Sequence, residues 1–403
     1  MSSPAARVIA LYLPQYYPIP ENDEWWGRGF TEWTNTARAK PLFRGHYQPH
    51  VPADLGFYDL RLPESRASQA RLAREHGVEG FCYYHYWFAG RRVLERPFDE
   101  VLALGQPDLP FCLNWANQTW SGIWHGAPNR VLIEQTYPGM DDHRRHFDAL
   151  LPAFTDQRYL KVDGRCLFVV YSPRALPESG RVLDLWRELA VKAGLPGLFI
   201  VGEQTEPDSD LRPLGYDAAV NVRLPDRRRH SRIPWTRPVE KLKSKYDRLR
   251  QGLIVHRYED VIDWMIADRV PELGSFPCVI PNWDNSPRSG TNGLVLHGST
   301  PELFRRHLRR ALESIADVPY DRRVVFVKSW NEWAEGNHLE PDLKFGRGYL
   351  EVLREELSRR PVENVRTSPN PTVHDVPDQP VRGRRVSAAS TRGASGDGFL
   401  QTQ

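Results

Sequence analysis

The stretch RVVFVKSW, Arg323–Trp330, decides how the chain is read. It is a run of β-formers that is apolar at successive rather than alternate positions. That pattern suits a strand buried on both faces of a parallel sheet. Seven further runs of this kind occur upstream: RVIALYL (7–13), VEGFCYY (78–84), LPFCLNW (109–115), CLFVVY (166–171), LFIVGE (198–203), YDAAVNV (216–222) and FPCVIPNW (276–283). Amphipathic stretches at helical period fill most of the gaps. PESRASQARLAREHG starts on Pro63 and ends on Gly77, and RVLDLWRELAVKAG ends on Gly194; both follow the preference for proline at the start of a helix and glycine at its end. RYEDVIDWMIAD, TPELFRRHLRRALESIAD and GYLEVLREELSRR continue the alternation. Strand alternating with helix through eight strands predicts an α/β fold, a (β/α)8 TIM-type barrel with long loops on its C-terminal face. No G-x-G-x-x-G turn follows the first strand, so a dinucleotide-binding sheet has no support.

The chain has 403 residues and a net charge of only +3, which argues against nucleic-acid binding. No apolar run has the length of a signal segment or a bilayer span, so a cytoplasmic protein is expected. Cys82, Cys112, Cys166 and Cys278 each sit inside an apolar run, without metal-ligand spacing, and read as buried free thiols. No metal or cofactor is expected. Residues 1–360 read as one catalytic barrel domain. Residues 361–403, rich in Ser, Thr, Pro, Arg and Gly without apolar periodicity, read as a disordered tail.

Of 13 tryptophans, ten fall at C-terminal strand ends or in the loops that follow: Trp25, Trp26, Trp33, Trp87, Trp115, Trp120, Trp124, Trp283, Trp330 and Trp333. Those loops form the active-site face of such a barrel. Indole faces stack on the apolar faces of sugar rings, and the N–H still hydrogen-bonds. Polar groups share the geography: Tyr12, Gln15, His85, Asn114, Asn117, Glu134, Glu203, Asp284, Asn285, Asn331 and Glu340. Amides, carboxylates and indoles converging on one mouth suit an oligosaccharide or polysaccharide, which offers many hydroxyls and little charge. Glycosidic chemistry commonly uses two carboxyl groups, one protonated and one ionised. Glu332 and Glu335, three apart after the last strand, would project to one side of a helical turn and raise each other's pKa.

These residues also carry a family resemblance. LYLPQYYPIPENDEWWGRGFTEWTN, GHYQPHVPADLGFYDLR, GFCYYHYWF, RPFDEVL, FCLNWANQTW, WDNSPR and WNEWAEGNHLEPD resemble the WbsX-type, glycoside hydrolase family 99-like proteins of bacterial surface-polysaccharide gene clusters. The likeness runs from about residue 7 to 355. It implies a (β/α)8 barrel that acts on a glycosidic bond with retention. By resemblance, Glu332 would help the sugar 2-hydroxyl attack its own anomeric carbon, and Glu335 would act as general acid and then general base. The match departs at Ala334, where family 99 enzymes are expected to carry histidine.

Two other functions compete. A nucleotide-sugar transferase would need a site such as Asp208–Asp210, the only D-x-D in the chain. A non-catalytic sugar-binding barrel would have little use for the Glu332/Glu335 pair. The basic segment 223–250, with Arg227, Arg228 and Arg229, suits a lipid-linked substrate or peripheral contact with an anionic surface.

Overall fold

All eight apolar runs are strands, and they close on themselves. The computed structural model describes residues 4–122, 127–205, 210–225, 252–266 and 274–359. The barrel strands are β1 (Arg7–Tyr12), β2 (Gly80–Phe88), β3 (Phe111–Trp115), β4 (Arg165–Val170), β5 (Leu198–Gln204), β6 (Ala218–Asn221), β7 (Ser275–Val279) and β8 (Val324–Val327). Each pairs in parallel with the next, and β1 closes the ring by pairing with both β8 and β2. Arg7 is in register with Val324, and Ile9 with Gly80. The parallel ladder explains the continuous apolar runs: one face of each strand fills the barrel and the other meets helices.

Those helices are Pro63–Glu75, Arg96–Leu104, Met140–Phe154, Ser179–Lys192, Tyr258–Met265, Pro301–Ser314 and Gly348–Ser358. After β5 the described residues hold only the 3-10 turn Arg212–Leu214. No helix among the described residues is long and apolar enough to cross a membrane. All four cysteines are free and buried. The described residues belong to one compact unit, Met1–Pro361. The expected tail, 361–403, and most of the basic segment, 226–250, lie outside the described residues.

Two features place the site. The long loop after β1 contributes the helices Pro20–Trp26 and Glu32–Arg38. After β8 the chain makes a hairpin of Asn331–Glu332 with Asn337–His338, and a single 3-10 turn, Trp333–Glu335, forms its tip. Gly336 ends that turn at φ +53, and a Cβ there would lie 2.9 Å from that of Asp284. A left-handed residue pressed against a neighbouring loop is a place for glycine alone.

Candidate active site

The strand ends and the loops after them enclose a cavity of about 360 Å³ at the barrel mouth. Glu332 and Glu335 both reach it. The turn that joins them is 3-10 rather than α, but it still sends both side chains the same way. Each carboxyl is within hydrogen-bonding reach of the other, and both are buried. Their surroundings drive them apart. Burial pushes both upward. In Glu332 it is outweighed by the bond from Glu335, by the charges of Lys328 and Arg288, and by the Tyr84 hydroxyl, so its pKa falls below the usual carboxylate value. In Glu335 burial and the neighbouring Glu332 charge win over Arg288, and the pKa rises well above that value. The pair therefore holds one base and one acid.

Two cations and two further carboxylates surround it. Arg288 spans Glu335 and Glu32, at 2.5 and 3.0 Å, with its side chain mostly buried. Lys328 lies 3.1 Å from Glu203 and 3.4 Å from the Tyr84 hydroxyl. Burial disfavours the Lys328 charge, but Glu203, with Tyr171, Glu332 and Glu335, more than restores it. Glu32 is raised, chiefly by burial, although Arg288 pulls against that. Trp25, Trp26, Trp120 and Trp283 supply apolar walls, and Tyr84, Tyr86, Gln15 and Gln118 supply polar ones.

Of the residues expected on this face, Gln15, Trp25, Trp26, Trp120, Glu203, Trp283, Glu332 and Glu335 line the cavity. The rest lie elsewhere, for physical reasons. On β2, side chains alternate across the wall: Tyr84 and Tyr86 face the cavity, so His85 and Trp87 face away. His85 meets His146 at 2.8 Å, and Trp87 stacks on His146 with its indole N–H on Asp142. Trp115 likewise packs outward onto His146 and Trp186. Asn114 faces inward and approaches Glu203 at 3.4 Å, a support beneath the cavity wall. Tyr12 packs on Phe81 and Tyr83 and bonds Gln69. Trp330 is fully buried against Phe81.

Several expected ligands are loop braces. Asn117 bonds Ser172 and Tyr137. Asp284 accepts from Gln48 and Ser286 and pairs with His46, and Asn285 holds Leu294. Asn331 bonds both the N–H and the C=O of Leu13, which ties the hairpin that carries Glu332 to the end of β1. Trp33 packs on Trp333 and Tyr58, and Trp333 donates to Glu340. Glu340 also accepts from Tyr58 and Gln69 in a closed cage. Glu134 is exposed and outside the cavity lining. Asp210 of the D-x-D pairs with Arg212 at the surface, and Asp208 lies outside the described residues. Trp124 is outside them as well.

Sequence reading missed Glu32, Tyr84, Tyr86, Arg288 and Lys328. Lys328 did carry a signal, as a cation directly after the apolar strand VVFV and before Trp330.

The model of the family described as Glycosyltransferase WbsX matches residues 8–353. A protein of Xanthomonas campestris pv. campestris, described as uncharacterized protein WxcX, is 40% identical over 365 residues, covering 88% of this chain and 50% of that protein. This chain thus spans about half the length of the curated relatives it matches. Among solved structures, a glycoside hydrolase-like protein superposes with a TM-score of 0.55 at 16% identity, covering 89% of this chain and 95% of the other. The GH99 endo-alpha-mannosidase from Bacteroides thetaiotaomicron does so at 0.50 and 14% identity, covering 88% and 97%. At such identities the likeness is one of fold.

Proposed function

The chain belongs to the WbsX glycosyltransferase family, and from that premise we propose that it makes or breaks a glycosidic bond with retention, in bacterial cell-surface polysaccharide metabolism. The observation that carries the proposal is the split of one buried carboxyl pair into a base, Glu332, and an acid, Glu335, at the floor of a tryptophan-walled cavity. Glu335 gives its proton to the departing glycosidic oxygen as that oxygen's bond to the anomeric carbon breaks. Glu332 takes the proton of the sugar 2-hydroxyl as its oxygen bonds to the same carbon. A water or acceptor hydroxyl then attacks that carbon and yields its proton to Glu335, while Glu332 returns its proton to O2. Two displacements at one carbon preserve its configuration. Once Glu335 is ionised in mid-cycle, the Arg288 guanidinium beside it stabilises the charge. Hydrolysis and transfer to a sugar hydroxyl differ only in what attacks second.

A nucleotide-sugar donor fits this cavity less well. Glu32, Glu203, Glu332 and Glu335 outnumber Arg288 and Lys328 among the lining residues, and both cations are already paired with carboxylates. A diphosphate needs cations that are free to meet it.

Turnover of aryl glycosides by Glu335→Gln and Glu332→Gln tests the roles. Loss of a positioned acid or base costs ~10²–10⁴ in rate. A good leaving group needs no proton, so it restores the first step in Glu335→Gln and not in Glu332→Gln. Full activity of either variant refutes the assignment, and turnover of a 2-deoxy glycoside refutes the role of the 2-hydroxyl.

A further inference from the structure

Behind the catalytic hairpin lies a second cluster of reactive side chains that the proposed chemistry does not use. His50 comes from the loop after β1, His338 from the second strand of the hairpin, and Asp342 from the turn beyond it. All three are buried, and each offers one ligand atom within 4.8 Å of the others. Nδ1 of His50 lies 2.8 Å from Nε2 of His338, which lies 4.0 Å from Oδ2 of Asp342.

We propose that His50, His338 and Asp342 bind a divalent transition-metal ion, for which Zn²⁺ is the best fit, and that this ion ties the catalytic hairpin to the loop after β1. Two imidazoles and a carboxylate are a ligand set that suits zinc.

The orientations of His338 and Asp342 are fixed from behind. Nδ1 of His338 donates to the Glu340 carbonyl at 2.9 Å, which leaves a lone pair on Nε2, facing the cluster. The other oxygen of Asp342, Oδ1, accepts the backbone N–H groups of Lys344 and Phe345. Its Oδ2, by contrast, is buried and makes no close hydrogen bond, although the Tyr47 hydroxyl approaches the carboxylate. A bond between the two imidazoles accounts for their approach but leaves that oxygen bare, at a cost of roughly 1–3 kcal/mol or more for a charged group. An ion gives all three atoms a partner. The separations of 2.8 and 4.0 Å bracket the roughly 3.3 Å expected between ligand atoms in a tetrahedral site with bonds of ~2.0–2.1 Å.

Lys344 works against a cation here, but its ammonium sits over the rings of Tyr47 and Phe345, at 4.2 and 4.7 Å. A cavity of about 60 Å³ borders His50 and has room for a water as a further ligand. Asn331 pairs with His338 and Glu332 with Asn337, so an ion on His338 fixes the strand opposite the catalytic base.

The test uses the full chain, freed of metal by a chelator and then given zinc chloride alone. Elemental analysis is expected to find one equivalent of zinc after desalting, together with a rise in the thermal midpoint. Asp342→Asn is expected to lose both. Co²⁺ in the wild type, which requires no variant to fold, is expected to show the visible absorption of a low-coordinate ion with nitrogen and oxygen ligands. A wild type that retains only trace zinc overturns the proposal. So does a folded Asp342→Asn that keeps the full equivalent, or a cobalt spectrum that stays that of the aqueous ion. If Asp342→Asn does not fold, His50→Gln takes its place under the same criteria.

Discussion

Glu340→Gln gives the sharpest quantitative test of the buried cage around that carboxyl. The Glu340 carboxyl is 2% exposed and accepts from Tyr58 at 2.8 Å, Gln69 at 2.7 Å and Trp333 at 2.6 Å. Burial pushes its pKa up, the three donors pull it back, and the balance lies at about 7 instead of 4.5. Because the folded-state value is raised, the folded protein holds a proton between pH 4.5 and 7 that the unfolded chain has released. The stability it contributes is therefore complete below about pH 4.5 and is lost as pH rises through 7. A gap of 2.5 pKa units amounts to about 3 kcal/mol. Glutamine has no such proton, so the stability of wild type minus that of Glu340→Gln should fall by about 3 kcal/mol between pH 4.5 and 8. Urea unfolding of both proteins at several pH values measures this, and every other titrating group cancels in the difference. A difference that does not change with pH, or that grows as pH rises, refutes the account of burial as the dominant influence on Glu340.

Lys328→Met leaves the Glu203 carboxylate buried without its cation, and loss of one partner of a buried pair costs about 3–5 kcal/mol. Adding Glu203→Gln should recover most of that loss, which a double-mutant cycle measures. Ending the chain at Arg360 should leave the thermal midpoint within ~2–4 °C of the full chain, a shift of less than about 1 kcal/mol, as differential scanning calorimetry would show. Replacing Arg227, Arg228 and Arg229 with Glu should abolish association with anionic vesicles in a flotation assay. In the wild type that association should weaken steeply with salt, because exposed charges are screened within ~8 Å at physiological ionic strength.

The barrel was legible because a strand buried on both faces has to be apolar along its whole length, and eight such runs leave few other folds. The side to which each polar residue points was harder to read. In FCYYHYWF the eye goes to His85 and Trp87, yet a strand turns alternate side chains to opposite faces, and the cavity receives Tyr84 and Tyr86. A shift of one residue sends a side chain from the mouth to the helical layer. The acidic pair was legible because both members lie on one turn. Arg288 was not, because its partners Glu32 and Glu335 lie 256 and 47 positions away, and only the closed fold brings them together. The cluster of His50 with His338 is separated by 288 positions in the same way.

The amide of Asn331 does for β1 and the hairpin after β8 what a peptide group does inside a sheet: it gives one donor and one acceptor to the same residue, Leu13. A side chain thereby continues the ladder past the point where β8 itself ends. During synthesis β1 emerges first, and the residues that carry the two acids emerge after all eight strands. That amide is one of the ties that hold the acids in place, beside the bond from the Trp330 N–H to the Leu11 carbonyl and the Arg288–Glu335 pair. A half-folded chain, in which β1 has not met the segment after β8, therefore lacks this tie between the two. The proposed active site is thus completed by contacts at the seam where β8 closes on β1.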